Sequence, residues 1–310
     1  MQQKQIIRSR LILLIFWAGL TTIPQTQAQT PLYSAPLALV EQLMFIKLRV
    51  NDSRPLNFLL DTGAGVTVIN ETTADRLELD ISARSRIKTA GKTLLAATSA
   101  ANTLHFGDLT LENISLEIIR LDHLSELLSY PVDGIIGVDL LRQFVLETDI
   151  DGQTFNLYDR EKHFYQGPGE TLELLEMEYG HFGAMVSLDL GPRYRDVSLA
   201  LKFDTGYSGH LLLDNNIVKR YELIRENRRY HEVESFSADS TININYKKKL
   251  KRITLAGKTL RNIPSVLTVD QRNIRAAEKN LSQGLIGQEV LLNFNIIYDY
   301  HRRLIHLEPR

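Results

Sequence analysis

Apolar and polar positions alternate along much of this chain with the period of a strand, and the alternating runs are short. Residues 39–50 predict a first strand, and Asn51-Asp52-Ser53-Arg54-Pro55 reads as the turn that follows it. Residues 56–60 predict the next strand and 66–69 another, with a short helix over 71–79 capped by Asn70. Further strands are predicted at 85–90, 93–100, 103–106, 114–120, 144–150 and 153–158. The plan then repeats, with strands near 181–190, 197–203 and 211–213. A longer helix is predicted over 214–229, where Ile217, Val218, Tyr221 and Ile224 fall at helical spacing behind Asp214 as cap. Strands follow near 232–238, 240–246, 251–255, 263–269, 295–299 and 303–307, with a short polar helix at 271–281. Many short strands punctuated by Gly, Asp and Asn imply a mostly β protein, not alternating α and β.

The repetition extends to motifs. Phe58-Leu59-Leu60-Asp61-Thr62-Gly63-Ala64-Gly65 returns as Leu201-Lys202-Phe203-Asp204-Thr205-Gly206-Tyr207-Ser208-Gly209. Gly134-Ile135-Ile136-Gly137 returns as Gly284-Leu285-Ile286-Gly287, followed by Phe144 and Phe294 respectively. Asp61 precedes Gly137 by 76 residues and Asp204 precedes Gly287 by 83, so a whole unit is duplicated. One Asp on a glycine turn is commonly structural, since its carboxylate holds the turn by accepting backbone N–H bonds. Two copies in matching contexts point to a pair of carboxylates sharing one site and one proton. The glycines leave backbone amides open to a carboxylate, and Thr62 and Thr205 supply hydroxyls able to donate and accept.

These motifs resemble those of aspartic peptidases of the retropepsin and pepsin type. The resemblance covers residues 40–308 at motif level and looks like a bacterial single-chain, two-lobed member. It implies a mostly β, two-lobed pepsin-like fold, a duplicated retropepsin-like unit. It implies an aspartic endopeptidase in which Asp61 and Asp204 hold the attacking water, with no cofactor and no metal. Thr62 and Thr205 would cross-link the two turns, while Gly63 and Gly206 would present amides to the carboxylates. A flap hairpin is expected around Gly91, Lys92 and Thr93, with 237–249 in the corresponding place of the second half. The substrate would be a polypeptide in extended form, and one chain would suffice for a complete site. Tyr207 stands where the first half has Ala64, so the two turns are not copies. A catalytically inactive two-lobed peptide-binding protein is therefore the alternative.

Composition narrows the rest. The 310 residues carry a formal net charge of -1 and 24% charged side chains, so the whole chain is no obvious nucleic-acid binder. With no Cys there are no disulfides, thiol nucleophiles or cysteine-ligated metals. The eight His residues show no metal spacing, and the basic run from Lys247 to Arg252 reads as a solvated strand end. Lys4, Arg8 and Arg10, then an apolar run to Leu20 and a polar stretch ending near Ala28, have the layout of a secretory leader. The expected organisation is a signal peptide or N-terminal anchor over 1–28, a linker over 29–38, and lobes over 39–165 and 166–310. Such a protein is exported: periplasmic, secreted or membrane-anchored facing outward.

Overall fold

The computed structural model describes residues 29–88, 93–225, 229–236, 242–269 and 282–310. The first half curls into an eight-stranded sheet built on Leu43–Val50, whose burial alternates once Met44 to Ile46 are past. That strand pairs antiparallel with Leu56–Leu60, placing Phe45 opposite Leu59. Leu56–Leu60 then runs parallel to Gly134–Ile136, which is flanked on its other side by Val68–Asn70. Val68–Asn70 lies parallel to Leu109–Ile119, itself the return strand of a hairpin from Thr93–Phe106. Thr93–Phe106 also reaches back to Leu43–Val50 through Arg49 and His105, which closes the sheet on itself. Closure satisfies strand edges that would otherwise be open.

The second half repeats each of these steps. Phe182–Asp189 pairs with Val197–Phe203, which runs parallel to Gly284–Ile286. Gly284–Ile286 is flanked by Leu211–Leu213, parallel to Lys258–Leu267, and Ile242–Leu255 closes back onto Phe182–Asp189. This is the two-lobed, duplicated retropepsin-like fold. A third sheet joins the lobes. Phe144–Asp149 from the first half lies antiparallel to Phe294–Asp299 from the second, with Val145 opposite Asp299. Their hairpin partners Thr154–Asp159 and Leu304–Pro309 flank them, and Tyr33–Pro36 and Glu170–Glu173 form the edges. One continuous core, from Leu37 to Leu307, runs through both lobes of the unit Pro31–Arg310. Burial across this shared sheet lets lobes without disulfides hold together.

Several elements differ from their predicted extents. The stretch expected as a linker is ordered: Tyr33–Pro36 pairs with Thr154–Asp159, and Tyr33 packs edge-on against Phe106 and Phe155. The helix expected over 214–229 stops early, as Asn215–Arg220, because Glu222 takes positive φ and Leu223 turns back into the core. The helix expected over 71–79 is Glu71–Arg76. A helix with no counterpart in the periodicity, Asp122–Leu128, brings Leu124 and Leu128 against a second small core of Leu43, Phe45, Leu59, Val68, Leu121, Val132 and Ile135. Residues 160–169 contain no strand or helix. The expected leader and the helix at 271–281 lie outside the described residues. Among the described residues, no helix is long and apolar enough to cross a membrane.

Candidate active site

Each Asp-Thr-Gly turn is seated by the second motif of its own lobe. Asp61 N–H donates to the Ile136 carbonyl at 3.1 Å, and Asp204 N–H donates to that of Ile286 at 2.9 Å. Each parallel strand thus holds the Cα of its aspartate. The far side of the turn rests on the glycine that follows. Val138 N–H donates to the Ala64 carbonyl and Gln288 N–H to the Tyr207 carbonyl, both at 2.8 Å. A Cβ on Gly137 would stand 2.5 Å from the Val66 backbone, and one on Gly287 would stand 2.3 Å from the Gly209 carbonyl oxygen. Any side chain at either glycine would lift its turn off this seat.

The two turns also bind each other. Thr62 Oγ1 donates to the Phe203 carbonyl at 2.7 Å, and Thr205 Oγ1 donates to the Leu60 carbonyl at 2.7 Å. In return, Thr62 N–H donates to Thr205 Oγ1 at 2.9 Å and Thr205 N–H to Thr62 Oγ1 at 3.1 Å. Each hydroxyl therefore bridges two backbone groups of the opposite lobe, which fixes the turns relative to one another. Gly63 N–H donates to Asp61 Oδ1 at 2.7 Å, and Gly206 N–H to Asp204 Oδ1 at 3.1 Å. Each glycine also lies flat against the other lobe's carboxylate. A Cβ on Gly63 would be 2.4 Å from the Asp204 carboxyl, and one on Gly206 2.3 Å from that of Asp61. The six residues predicted from the sequence for the two turns are thus brought into one cluster.

The second turn accommodates its Tyr by folding the ring back. A Cβ on Gly209 would meet the Tyr207 hydroxyl at 2.4 Å, and one on Gly287 would meet the ring at 2.4 Å. Tyr207 therefore covers its own turn, where the first lobe has the short side chain of Ala64, packed against the small core. Burial and the nearby Asp204 push its phenol up to about 12, so it stays neutral. The hairpin of Ala83–Lys88 and Thr93–Phe106 has Thr93 at the start of its second strand. Gly91 and Lys92, the other flap candidates, lie outside the described residues, as do 237–241 in the second lobe.

The dyad has an unequal charge environment. Burial, and then the Asp204 carboxylate, push Asp61 up to about 7, opposed by Lys202 and the Gly63 N–H. Lys202 Nζ lies 3.0 Å from Asp204 Oδ2. Burial alone would lower the Lys202 ammonium, but Asp204 and Asp61 outweigh it and hold its pKa above the ordinary value. The pairing with Asp204 was not foreseen from the sequence. Its signal was parity: Lys202 and Asp204 are two apart at the end of a strand and so share a face.

The raised Asp61 pKa has a consequence for stability. Its folded pKa of about 7 exceeds the ordinary 3.8, so its contribution is fully present below about pH 4 and is lost as pH rises through 7. Asp61→Asn removes this dependence. The variant is expected to be more stable than the wild type at pH 8, by no more than about 4 kcal/mol, and so to melt higher there, and to lose that advantage near pH 4. Thermal melts across pH would check this; a wild type at least as stable as the variant at pH 8 counts against it.

Residues 46–140 match the aspartyl protease family. The first lobe is similar to an aspartyl protease domain of the retropepsin-like type. The matched segment begins inside Leu43–Val50 and ends inside the helix Val138–Leu141, so it takes in the first turn and its Gly137 seat. The second lobe lies outside the matched residues and is tied to the first by its strand order and register. No curated protein matches the chain.

Proposed function

We propose that this aspartyl-protease-type protein is an endopeptidase that hydrolyses peptide bonds with water activated between Asp61 and Asp204. The observation that supports the reading is the reciprocal threonine exchange, which sets the two carboxyls side by side with one N–H of its own turn on each. Two carboxyls so placed share a proton, because both do not comfortably ionise at close range. The ionised one takes a proton from water as the oxygen attacks the scissile carbonyl, and the protonated one supports the developing oxyanion. The product is a tetrahedral intermediate with no acyl-enzyme. An extended polypeptide is the substrate, and one chain supplies both half-sites.

The test is a diverse peptide library incubated across a pH series with the wild type, Asp61→Asn and Asp204→Asn. Cleavage should run from acidic to near-neutral pH and fall by about 10²–10⁴-fold or more in both variants, the range set by loss of a general acid or base. Cleavage that persists in either variant sinks the shared-carboxylate mechanism. Peptide retention without cleavage at any pH would identify a silent binding protein instead.

A further inference from the structure

Lys202 is a charged member of the dyad's surroundings that the two lobes do not share. It belongs to Val197–Phe203, where Leu199, Leu201 and Phe203 point into the core and the alternate positions face the other way. On that other face it joins Asp204, with side chains only 17% and 12% exposed. The corresponding strand of the first lobe has Leu59 in this place, opposite Phe45 and inside the small apolar core. Lys202 instead lies opposite Gly183, so the cross-strand neighbour contributes no side chain. The fold is thus built with an apolar residue at this position in one lobe and an ammonium in the other. Taking an ammonium out of water costs several kcal/mol unless a partner compensates. Its partner is a carboxylate of the dyad.

We propose that Lys202 is a positioning residue that breaks the symmetry of the pair, holding Asp204 as the ionised member and leaving the shared proton on Asp61. This rests on the peptidase reading and assigns its roles. Asp204 accepts a proton from water as the new C–O bond forms, and Asp61 gives its proton to the carbonyl oxygen. On collapse, the proton held by Asp204 passes to the leaving nitrogen, a hydroxyl proton returns to Asp61, and the C–N bond breaks. The cluster of ammonium, carboxylate and carboxylic acid is then neutral before attack, where a bare dyad would carry one negative charge.

Other groups face this cluster. Asp214, the residue before Asn215–Arg220, is pushed up to about 6 by burial and partly restored by Lys202. His181, just before Phe182–Asp189, is pushed down to about 4 by burial and then by Lys202, and is neutral above that. Tyr207, Tyr298 and Tyr300 are raised, chiefly by burial, and stay neutral. Of these, Asp214 and His181 titrate within the working range, so the comparison below is repeated with Asp214→Asn and with His181→Gln.

The experiment measures kcat/KM against pH for wild type, Lys202→Met and Lys202→Arg. A nearby positive charge favours ionised carboxylates, so its removal should move both limbs to higher pH, by about one pH unit or more on the acid side. At a fixed pH on that limb, kcat/KM falls about tenfold for each pH unit the profile moves. Lys202→Arg keeps the charge and should keep the profile. Profiles of Lys202→Met and wild type that differ only in height would overturn the proposal. Carboxyl-carbon NMR of aspartate-labelled wild type, assigned with Asp61→Asn and Asp204→Asn, needs neither cleavage nor a Lys202 variant. As pH rises, Asp204 should lose its proton before Asp61; the reverse order overturns the assignment. A protein that cleaves nothing but titrates in the expected order would end the peptidase reading and leave the charge assignment standing.

Discussion

Alanine at Gly206 should cut peptide cleavage by about 10²-fold or more. Its Cβ would stand 2.3–2.5 Å from all three carboxyl atoms of Asp61, and the atoms it meets cannot swing aside as the tip of a long side chain would. Asp61 Oδ1 is held by the Gly63 N–H, and the turn bearing Gly206 is held by the threonine exchange, so either the carboxyl or the turn must shift. A displacement of about 1 Å in a reacting group costs roughly 10²-fold, and overpacking a tight contact adds about 1–3 kcal/mol of strain. Gly63→Ala is the mirror experiment, since its Cβ would meet the Asp204 carboxyl at 2.4 Å. Each variant should lose about 10²-fold or more in kcat/KM while keeping the circular-dichroism spectrum of the wild type. Cleavage within a few-fold of wild type in Gly206→Ala would mean that the two carboxyls do not work at this separation.

The same contacts explain why the site could be read from the chain. A glycine that must lie against a carboxylate, a strand that must end at an aspartate, and a second glycine that must seat the turn are local demands. They left the same letters twice, at Asp61 to Gly65 and Asp204 to Gly209, and again at Gly134 to Gly137 and Gly284 to Gly287. What the letters did not show is what depends on distant pairing. The sheet that joins the lobes aligns Val145 with Asp299, and nothing near either residue specifies the other. Tyr33–Pro36 is too short for its alternation to register, and it becomes a strand because Thr154–Asp159 offers it an edge. In the helix after Asp214 the helical spacing of Tyr221 and Ile224 was real, but Leu223 reaches the core by leaving the helix. Lys202 stood in plain sight within an apolar run. Its meaning came only with the register that sets it where the first lobe has Leu59.

The cross-lobe threonines carry the largest expected effect on stability. Thr205 is fully buried, and Thr205→Val keeps its shape while removing the hydroxyl. The Leu60 carbonyl would lose its donor at 2.7 Å and the Thr62 N–H its acceptor at 2.9 Å, both at a junction closed to water. A buried polar group left without its partner costs about 1–3 kcal/mol, so the two together cost about 2–6 kcal/mol. That is a large part of the roughly 5–15 kcal/mol typical of a folded domain. Thr62→Val strands the Phe203 carbonyl and the Thr205 N–H in the same way. Each hydroxyl bonds to backbone rather than to the other hydroxyl. The double variant should therefore cost less than the sum only if the turns separate once the first pair is gone. Thr205→Ser retains the oxygen and should recover most of the loss. Urea unfolding of these variants beside the wild type would read the differences directly. A Thr205→Val variant within about 0.5 kcal/mol of wild type, the range of an ordinary surface change, would show that the hydroxyl bridge does not hold the lobes together.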